Sequence, residues 1–156
     1  MLDRIMNRYA SYAPLALRIV VGVVFAMHGA QKLFGAFGGP GIDGTAQFFE
    51  QTGIVPGVFW AWVVGLVEFC GGLALLLGAC TRYAASLLAI IMLVAIFAVH
   101  LSHGFFLPQG SEYALTLFGA NLTLLFSGAG ELALDPFLKR WWSGWRHSNE
   151  PHSATA

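Results

Sequence analysis

The stretch that decides the fold is PGVFWAWVVGLVEFCGGLALLLGAC, residues 56–80, an apolar run with one carboxylate, Glu68, near its middle. A helix rises about 1.5 Å per residue, so a run of this length can cross the hydrocarbon core of a bilayer, which is about 30 Å thick. An ionised side chain at that depth costs on the order of 3 kcal/mol, so Glu68 must be protonated or paired. The sequence therefore predicts a membrane helix whose acid is matched by a neighbouring helix.

Small residues share one face of this helix with Glu68. They are Ala61, Gly65, Gly72 and Ala79. Because small side chains let two helix backbones approach closely in a membrane, this face is predicted to contact another helix. Glu68 is then either a structural link between helices or a functional group, and its position inside the membrane favours function.

The composition is that of an integral membrane protein. Of the 156 residues, 57% are hydrophobic and 10% are charged, which is too little charge for the surface of a soluble domain. The formal net charge is zero and basic residues cluster with aromatic ones only near the end of the chain, so nucleic-acid binding is not expected. Cys70 and Cys80 lie on the same predicted helix, too far apart along it for a disulfide bond.

Four apolar segments predict an all-α fold, a membrane four-helix bundle with short interfacial helices. The tight Thr81-Arg82 connection makes the second and third spans antiparallel neighbours, and residues 45–52 are predicted to form an interfacial helix. The last span is expected to turn its small polar residues inward and its leucines toward lipid. The predicted spans are 14–37, 56–80, 83–101 and 112–127; the inward residues are Thr116, Ala120, Thr123 and Ser127, and the lipid-facing ones are Leu117, Leu124 and Leu125.

The basic residues predict the orientation in the membrane. With four spans both termini lie on one side, and the positive-inside rule places that side in the cytoplasm. The expected organisation is a cytoplasmic N-terminal segment, 1–13, a four-helix domain, 14–136, and a cytoplasmic tail, 137–156, that is interfacial and then disordered. Lys32 is the one basic residue on the opposite side; those on the terminal side are Arg4, Arg8, Arg18, Arg82, Lys139, Arg140 and Arg146.

Ionisable side chains accumulate in the half of the bundle away from the termini. Each of them costs several kcal/mol in lipid unless it is paired, so their accumulation indicates a site. Lys32 is expected to pair with Glu68 or Glu112, and His28 or His100 to hold or relay a proton near neutral pH. We therefore predict Glu68, His28, Lys32 and His100 as catalytic residues.

A site of this kind suits a quinone, whose carbonyl oxygens need donors and whose ring and tail need apolar walls. The predicted cofactor-binding residues are Gln31, Glu112, Phe25 and Phe69. A purely structural polar network is the alternative. His100 and His103, spaced to project from one helix face, suggest a metal with Glu112 or His28, but HxxH alone is weak and we assign no metal site.

Taken together, five segments resemble the DoxX family of small four-span membrane proteins over nearly all of residues 14–136. The resemblance has His28, Lys32, Glu68, His100 and Glu112 at matching places; His103 stands where another small polar residue is usual, which disfavours a metal. The segments are HGAQKLFGAFGGPG (28–41), GLVEFCGGLALLLGACTRYAA (65–85), AIFAVHLSHGFF (95–106), EYAL (112–115) and GAGELALD (128–135).

The resemblance implies a subunit of a membrane redox system in the bacterial plasma (inner) membrane. Family members include subunits of a thiosulfate:quinone oxidoreductase and of thiol-stress complexes. The sequence shows no flavin, haem or iron–sulfur motif, so a redox role requires a bound quinone or a partner protein of a redox complex. Whether the chain is itself an enzyme, and whether it forms a homo-oligomer, stays open. The alternative function is a small-molecule transporter or a membrane assembly factor.

Overall fold

The computed structural model describes residues 9–138 and Arg140, and within them every regular element is helical. The predicted N-terminal segment up to residue 8, Lys139 and the tail from residue 141 onward lie outside the described residues. A π-helical turn, Ile96–His100, and a 3-10 turn, Leu101–His103, extend the helix Thr81–Ala95. The all-α prediction is confirmed. The helices are α1 (Ala13–Phe34), α2 (Gly41–Gln51), α3 (Gly57–Leu77), α4 (Thr81–Ala95) and α5 (Glu112–Ser127).

Three helical segments are long and apolar enough to cross a membrane, namely Ala10–Phe34, Gly57–Leu77 and Thr81–His103. They correspond to the first three predicted spans. The fourth, α5, has 16 residues, so it is about 24 Å long and shorter than the hydrocarbon core. It packs along α4 and against α1, which completes a bundle of four long helices.

Helices α1 and α3 form the most extensive helix pair of the bundle. A side chain on Gly72 would overlap the backbone of Ala26, and one on Gly29 would overlap the backbone of Phe69. Glycine is therefore required at both positions for the two backbones to approach this closely. The predicted small face of α3 is confirmed for Ala61, Gly65, Glu68 and Gly72, which are all buried, whereas Ala79 lies beyond the end of the helix and is half-buried.

Helix α2 lies against the start of α3, at the end of the bundle where α1 finishes. It buries Thr45, Ala46 and Phe49, and Ala46 and Phe49 pack with Ala61. The helix begins at Gly41, four residues before the predicted start. Thr45 therefore lies inside the helix, where its hydroxyl donates to Gly41 O (2.6 Å).

The prediction for the inward face of α5 is wrong except for Ala120, which is partly buried and packs against the core. Thr116 and Thr123 are exposed. Their hydroxyls donate to Glu112 O (2.8 Å) and Gly119 O (3.0 Å), respectively, in their own helix. A hydroxyl satisfied in this way can face lipid without an unpaired polar group. Ser127 is exposed as well, and two leucines predicted to face lipid belong to the core. The buried residues of α5 are Ala114, Leu117, Asn121 and Leu124.

Arg18, near the start of α1, is fully buried. Its guanidinium group donates to Leu75 O at the end of α3 (3.0 Å) and to the segment after α5: Ala129 O, Glu131 O (3.4 Å) and Leu132 O (3.1 Å). Arginine carries five N–H donors and no acceptor, so this set of carbonyl groups suits it. Arg18 thus links α1 to α3 and to the last described segment.

Asp135 completes the same end of the bundle. Its carboxylate accepts hydrogen bonds from Cys80 N (2.5 Å) and Thr81 N (3.2 Å), where α4 begins. A carboxylate at this position satisfies free N–H groups and complements the helix dipole. Glu131 N also donates to Ser11 O (3.1 Å), so the first and last described segments meet at the same end of the bundle.

Candidate ligand-binding site

An ion pair between α1 and α3 forms the centre of the candidate site. Lys32 Nζ lies 2.5 Å from Glu68 Oε2. The Glu68 side chain is 4% exposed and the Lys32 side chain 21% exposed. Gly65, which precedes Glu68 by one turn, lets α1 approach α3 here, since a Cβ at this position would lie 2.8 Å from Leu33 Cδ2. Of the two acids proposed as partners of Lys32, the structure selects Glu68.

A cavity of about 740 Å³ opens beside this ion pair, lined by all five helices and by residues 53–55 after α2. All four residues predicted as catalytic, His28, Lys32, Glu68 and His100, line it. Its size lies in the range of small-molecule sites, about 300–1,000 Å³. The remaining wall is mostly apolar and includes Phe25, Val63, Val67, Ile91, Met92 and Leu117.

His100 is held at the end of the π-helical turn by the loop before α5. Its Nδ1 lies 2.7 Å from Gln109 O. Because a carbonyl oxygen only accepts, Nδ1 carries a proton, and in the neutral ring Nε2 is then an acceptor. The loop therefore fixes both the tautomer of His100 and the atom available to a ligand.

His103 does not join His100 at the cavity. It is exposed, and its Nδ1 donates to Val99 O (2.9 Å) in the preceding turn. Among the described residues, no group of three His, Cys, Asp or Glu side chains is placed to hold a metal ion. The spacing of the two histidines reflects the turn that ends this helix.

Of the four residues predicted to bind a cofactor, Phe25 alone is on the cavity wall. Gln31 lies against Gly39 in the loop after α1. Phe69 packs edge-on against Phe34, with ring centroids 5.4 Å apart. Glu112 accepts a hydrogen bond from Leu107 N (2.8 Å) and so organises the loop that holds His100. We therefore build the candidate site without Gln31, Phe69 and Glu112.

The arrangement can be compared with known proteins. The model of the DoxX family matches residues 13–101, more than half of the chain. The chain belongs to the DoxX family. This DoxX protein is 34% identical to "Putative oxidoreductase CatD" of Bacillus subtilis over 133 residues, 85% of this chain and 92% of CatD. It is 31% identical to "Inner membrane protein YqjF" of Escherichia coli over 142 residues, 88% of this chain and all of YqjF. No solved structure matches it significantly.

The matched region of this DoxX protein carries the ion pair and both cavity histidines, from α1 to the end of α4. The sequence reasoning missed Tyr113, at the start of α5, which also lines the cavity. Its ring centroid lies 6.5 Å from that of His28. The available signal was its position directly after Glu112, at the same depth as the other polar groups.

Proposed function

We propose that this DoxX protein is a membrane subunit of a redox system and that it binds a quinone in the cavity. The observation that carries the proposal is the joint placement of the Lys32–Glu68 ion pair, His28 and His100 on the wall of one otherwise apolar cavity. The name of the relative CatD, which is that of an oxidoreductase, supports the same class of function.

The charge of the site favours a neutral ligand. Lys32 is already paired with Glu68, so an anion entering the cavity would have to compete with a buried carboxylate. A lysine ammonium has three donors, and the bond to Glu68 uses one of them. Lys32 can therefore also donate to a ligand oxygen, while Phe25 and Met92 pack against an apolar ring.

A bound quinone supplies two-electron, two-proton chemistry, with its electrons exchanged through a redox partner protein. The chain itself contributes proton carriers. His100, with Nδ1 bonded to Gln109 O, presents Nε2 as an acceptor when neutral and as a donor when protonated. Its role is to take a proton from a ligand hydroxyl or to give one to a ligand carbonyl oxygen.

We also propose that the end of the bundle containing Arg18 and Arg82 faces the cytoplasm of a bacterium and that the cavity lies in the outer half of its inner membrane. The positive-inside rule supports this orientation, because Lys32 is on the opposite side of the bundle. The inner-membrane name of YqjF supports the location.

Lipid extraction of the purified protein, followed by mass spectrometry, tests the quinone proposal. The native protein is expected to retain quinone. The Glu68→Gln and His100→Ala variants are expected to bind it about tenfold less tightly or worse, which corresponds to a loss of about 1.4 kcal/mol of binding free energy. His103→Ala is the matched control, since His103 lies one turn from His100 and does not line the cavity. Absence of quinone from folded native protein, also after addition of ubiquinone, would overturn the proposal and favour a transporter or an assembly factor.

A further inference from the structure

Helices α3 and α4 are close together at one end only. The short connection after Gly78 joins them at the end that holds Arg18. There a Cβ on Gly71 would lie 3.2 Å from Leu88 Cδ1, so the two helices are in tight contact. Toward the other end, the cavity lies between them.

Apolar residues of both helices line this part of the cavity. On α4, Leu87, Ile90 and Val94 recur at helical spacing, and they are 50%, 57% and 51% exposed although they also line the cavity. On α3, Trp60 and Val63 face them across the gap, and Trp60 is 39% exposed. We call these five residues the lateral opening. Side chains that line a cavity and are half exposed mark a place where it reaches the surface.

Elsewhere, two helix pairs bound the cavity, while Phe48 and Val55, which line its end beside α2, are also exposed (44% and 67%). Helices α1 and α3 meet through Gly29 and Gly72, whose neighbours leave no space for a side chain. Helices α4 and α5 are joined by core residues, among them Leu88, Met92 and Leu117. The lateral opening lies at the level of the membrane-spanning part of α4 and consists of apolar side chains, so it faces lipid.

We propose that the ligand enters sideways from the bilayer through the lateral opening and keeps an apolar tail there while its polar head lies against Lys32 and Glu68. The inference rests on the proposed function and names its substrate class: a long-tailed, lipid-dissolved molecule. The physical reason is that a tail left between Leu87, Ile90 and Val94 stays in surroundings as apolar as lipid. Only the head group then has to exchange its hydrogen-bonding partners.

Photocrosslinking in nanodiscs of phosphatidylethanolamine and phosphatidylglycerol tests this route. The probe is a ubiquinone analogue with a diazirine in its tail, and the modified residues are mapped by peptide mass spectrometry. Crosslinks that excess unlabelled long-tailed ubiquinone suppresses are expected within residues 60–67 and 87–94. Suppressible crosslinks confined to α1 and α5 would overturn the lateral opening and leave quinone binding intact. A lack of suppressible crosslinks anywhere would overturn both.

A pair of tryptophan variants sharpens the test. Val94→Trp fills the lateral opening, whereas Leu93→Trp introduces the same side chain at a neighbouring position that is 41% exposed and does not line the cavity. Val94→Trp is expected to reduce the suppressible crosslinking about tenfold, and Leu93→Trp to leave it unchanged. Thermal unfolding is used to check that both variants are folded. Equal crosslinking in the two folded variants would overturn the inference.

Discussion

The ammonium group of Lys32 lies 2.5 Å from the carboxylate of Glu68, and the pair joins two helices whose backbones are in contact. An ion pair in this position has two separable roles, because it links α1 to α3 and also presents polar atoms to the cavity. Removing one partner leaves a buried polar group unpaired, whereas replacing both with apolar residues removes the polar atoms and leaves no group unpaired.

Replacement of Lys32 by Met is expected to destabilise the protein by about 3 kcal/mol, because it leaves the buried Glu68 without its partner. The double variant Lys32→Met, Glu68→Leu should recover most of this loss, since apolar residues of similar volume often replace a buried pair without cost. Thermal unfolding in detergent, followed by circular dichroism, measures both effects.

The same double variant separates the two roles. If the polar atoms serve the ligand, the double variant folds and no longer retains quinone. A stable double variant that still binds quinone at the native level would show that the pair is a structural network only.

Replacement of Arg18 by Met is expected to lower the free energy of unfolding by about 3 kcal/mol, because buried carbonyl groups lose their donor. Arg18→Lys should recover only part of this, since one ammonium group cannot reach the carbonyls of Leu75 and Leu132 with the geometry of a guanidinium. Arg82→Met is the control. Arg82 is exposed and donates to Phe126 O (3.2 Å), so its loss should change stability by about 0.5 kcal/mol or less. An equal loss in the Arg18 and Arg82 variants would contradict this account of Arg18.

Alanine at three glycines should produce a graded series. Gly72→Ala is expected to cost about 2 kcal/mol or more, because the new methyl group meets the backbone of Ala26. Gly65→Ala should cost less, since the nearest atom is Cδ2 of the Leu33 side chain (2.8 Å), which can move. Gly119→Ala, with nothing within 4 Å, should stabilise α5 by about 0.5–1 kcal/mol. Thermal unfolding measures the order of stability of the three variants. A Gly119→Ala variant less stable than the native protein would contradict the expected order.

Cysteine labelling in intact cells tests the orientation. Cysteines introduced at Gln47 and Gln109, both exposed and at the cavity end of the bundle, should react with a membrane-impermeant maleimide from outside. A cysteine at Arg82 should react only after the inner membrane is opened. The opposite pattern would reverse the assignment of the two sides.

The ionisable part of the candidate site was predictable from the sequence because polar groups in a membrane are costly, whereas Gln31, Phe69 and Glu112 were also predicted and do not line the cavity. Because Glu68 lies in the middle of a predicted span, its carboxylate required a partner. The small residues around it indicated where the neighbouring helix would lie. Lys32 satisfied both conditions, and His28 and His100 followed from their depth in the predicted spans. These groups meet at one cavity, as the pattern of depths indicated.

Other features could not be read from local patterns. The face of α5 was misassigned because Thr116 and Thr123 bond to their own helix, so their polarity does not report on burial. Tyr113 carries no periodic signal that separates a cavity residue from one facing lipid. Three of the four acceptors of Arg18 lie more than 110 residues away at Ala129 to Leu132, which no helix periodicity connects to it.

That separation has a consequence for biosynthesis. Arg18 leaves the ribosome 111 residues before Ala129, so its acceptors in the segment after α5 appear about 5–20 s later at translation rates of about 5–20 residues per second. During this interval the first helix cannot seat its guanidinium group as in the finished bundle, and Arg18 must stay near the lipid headgroups or water. The bundle therefore closes only after α5 has been made, when the segment after it reaches Arg18. A nascent chain that stops before that point would lack three of the four acceptors that hold Arg18 in the complete protein.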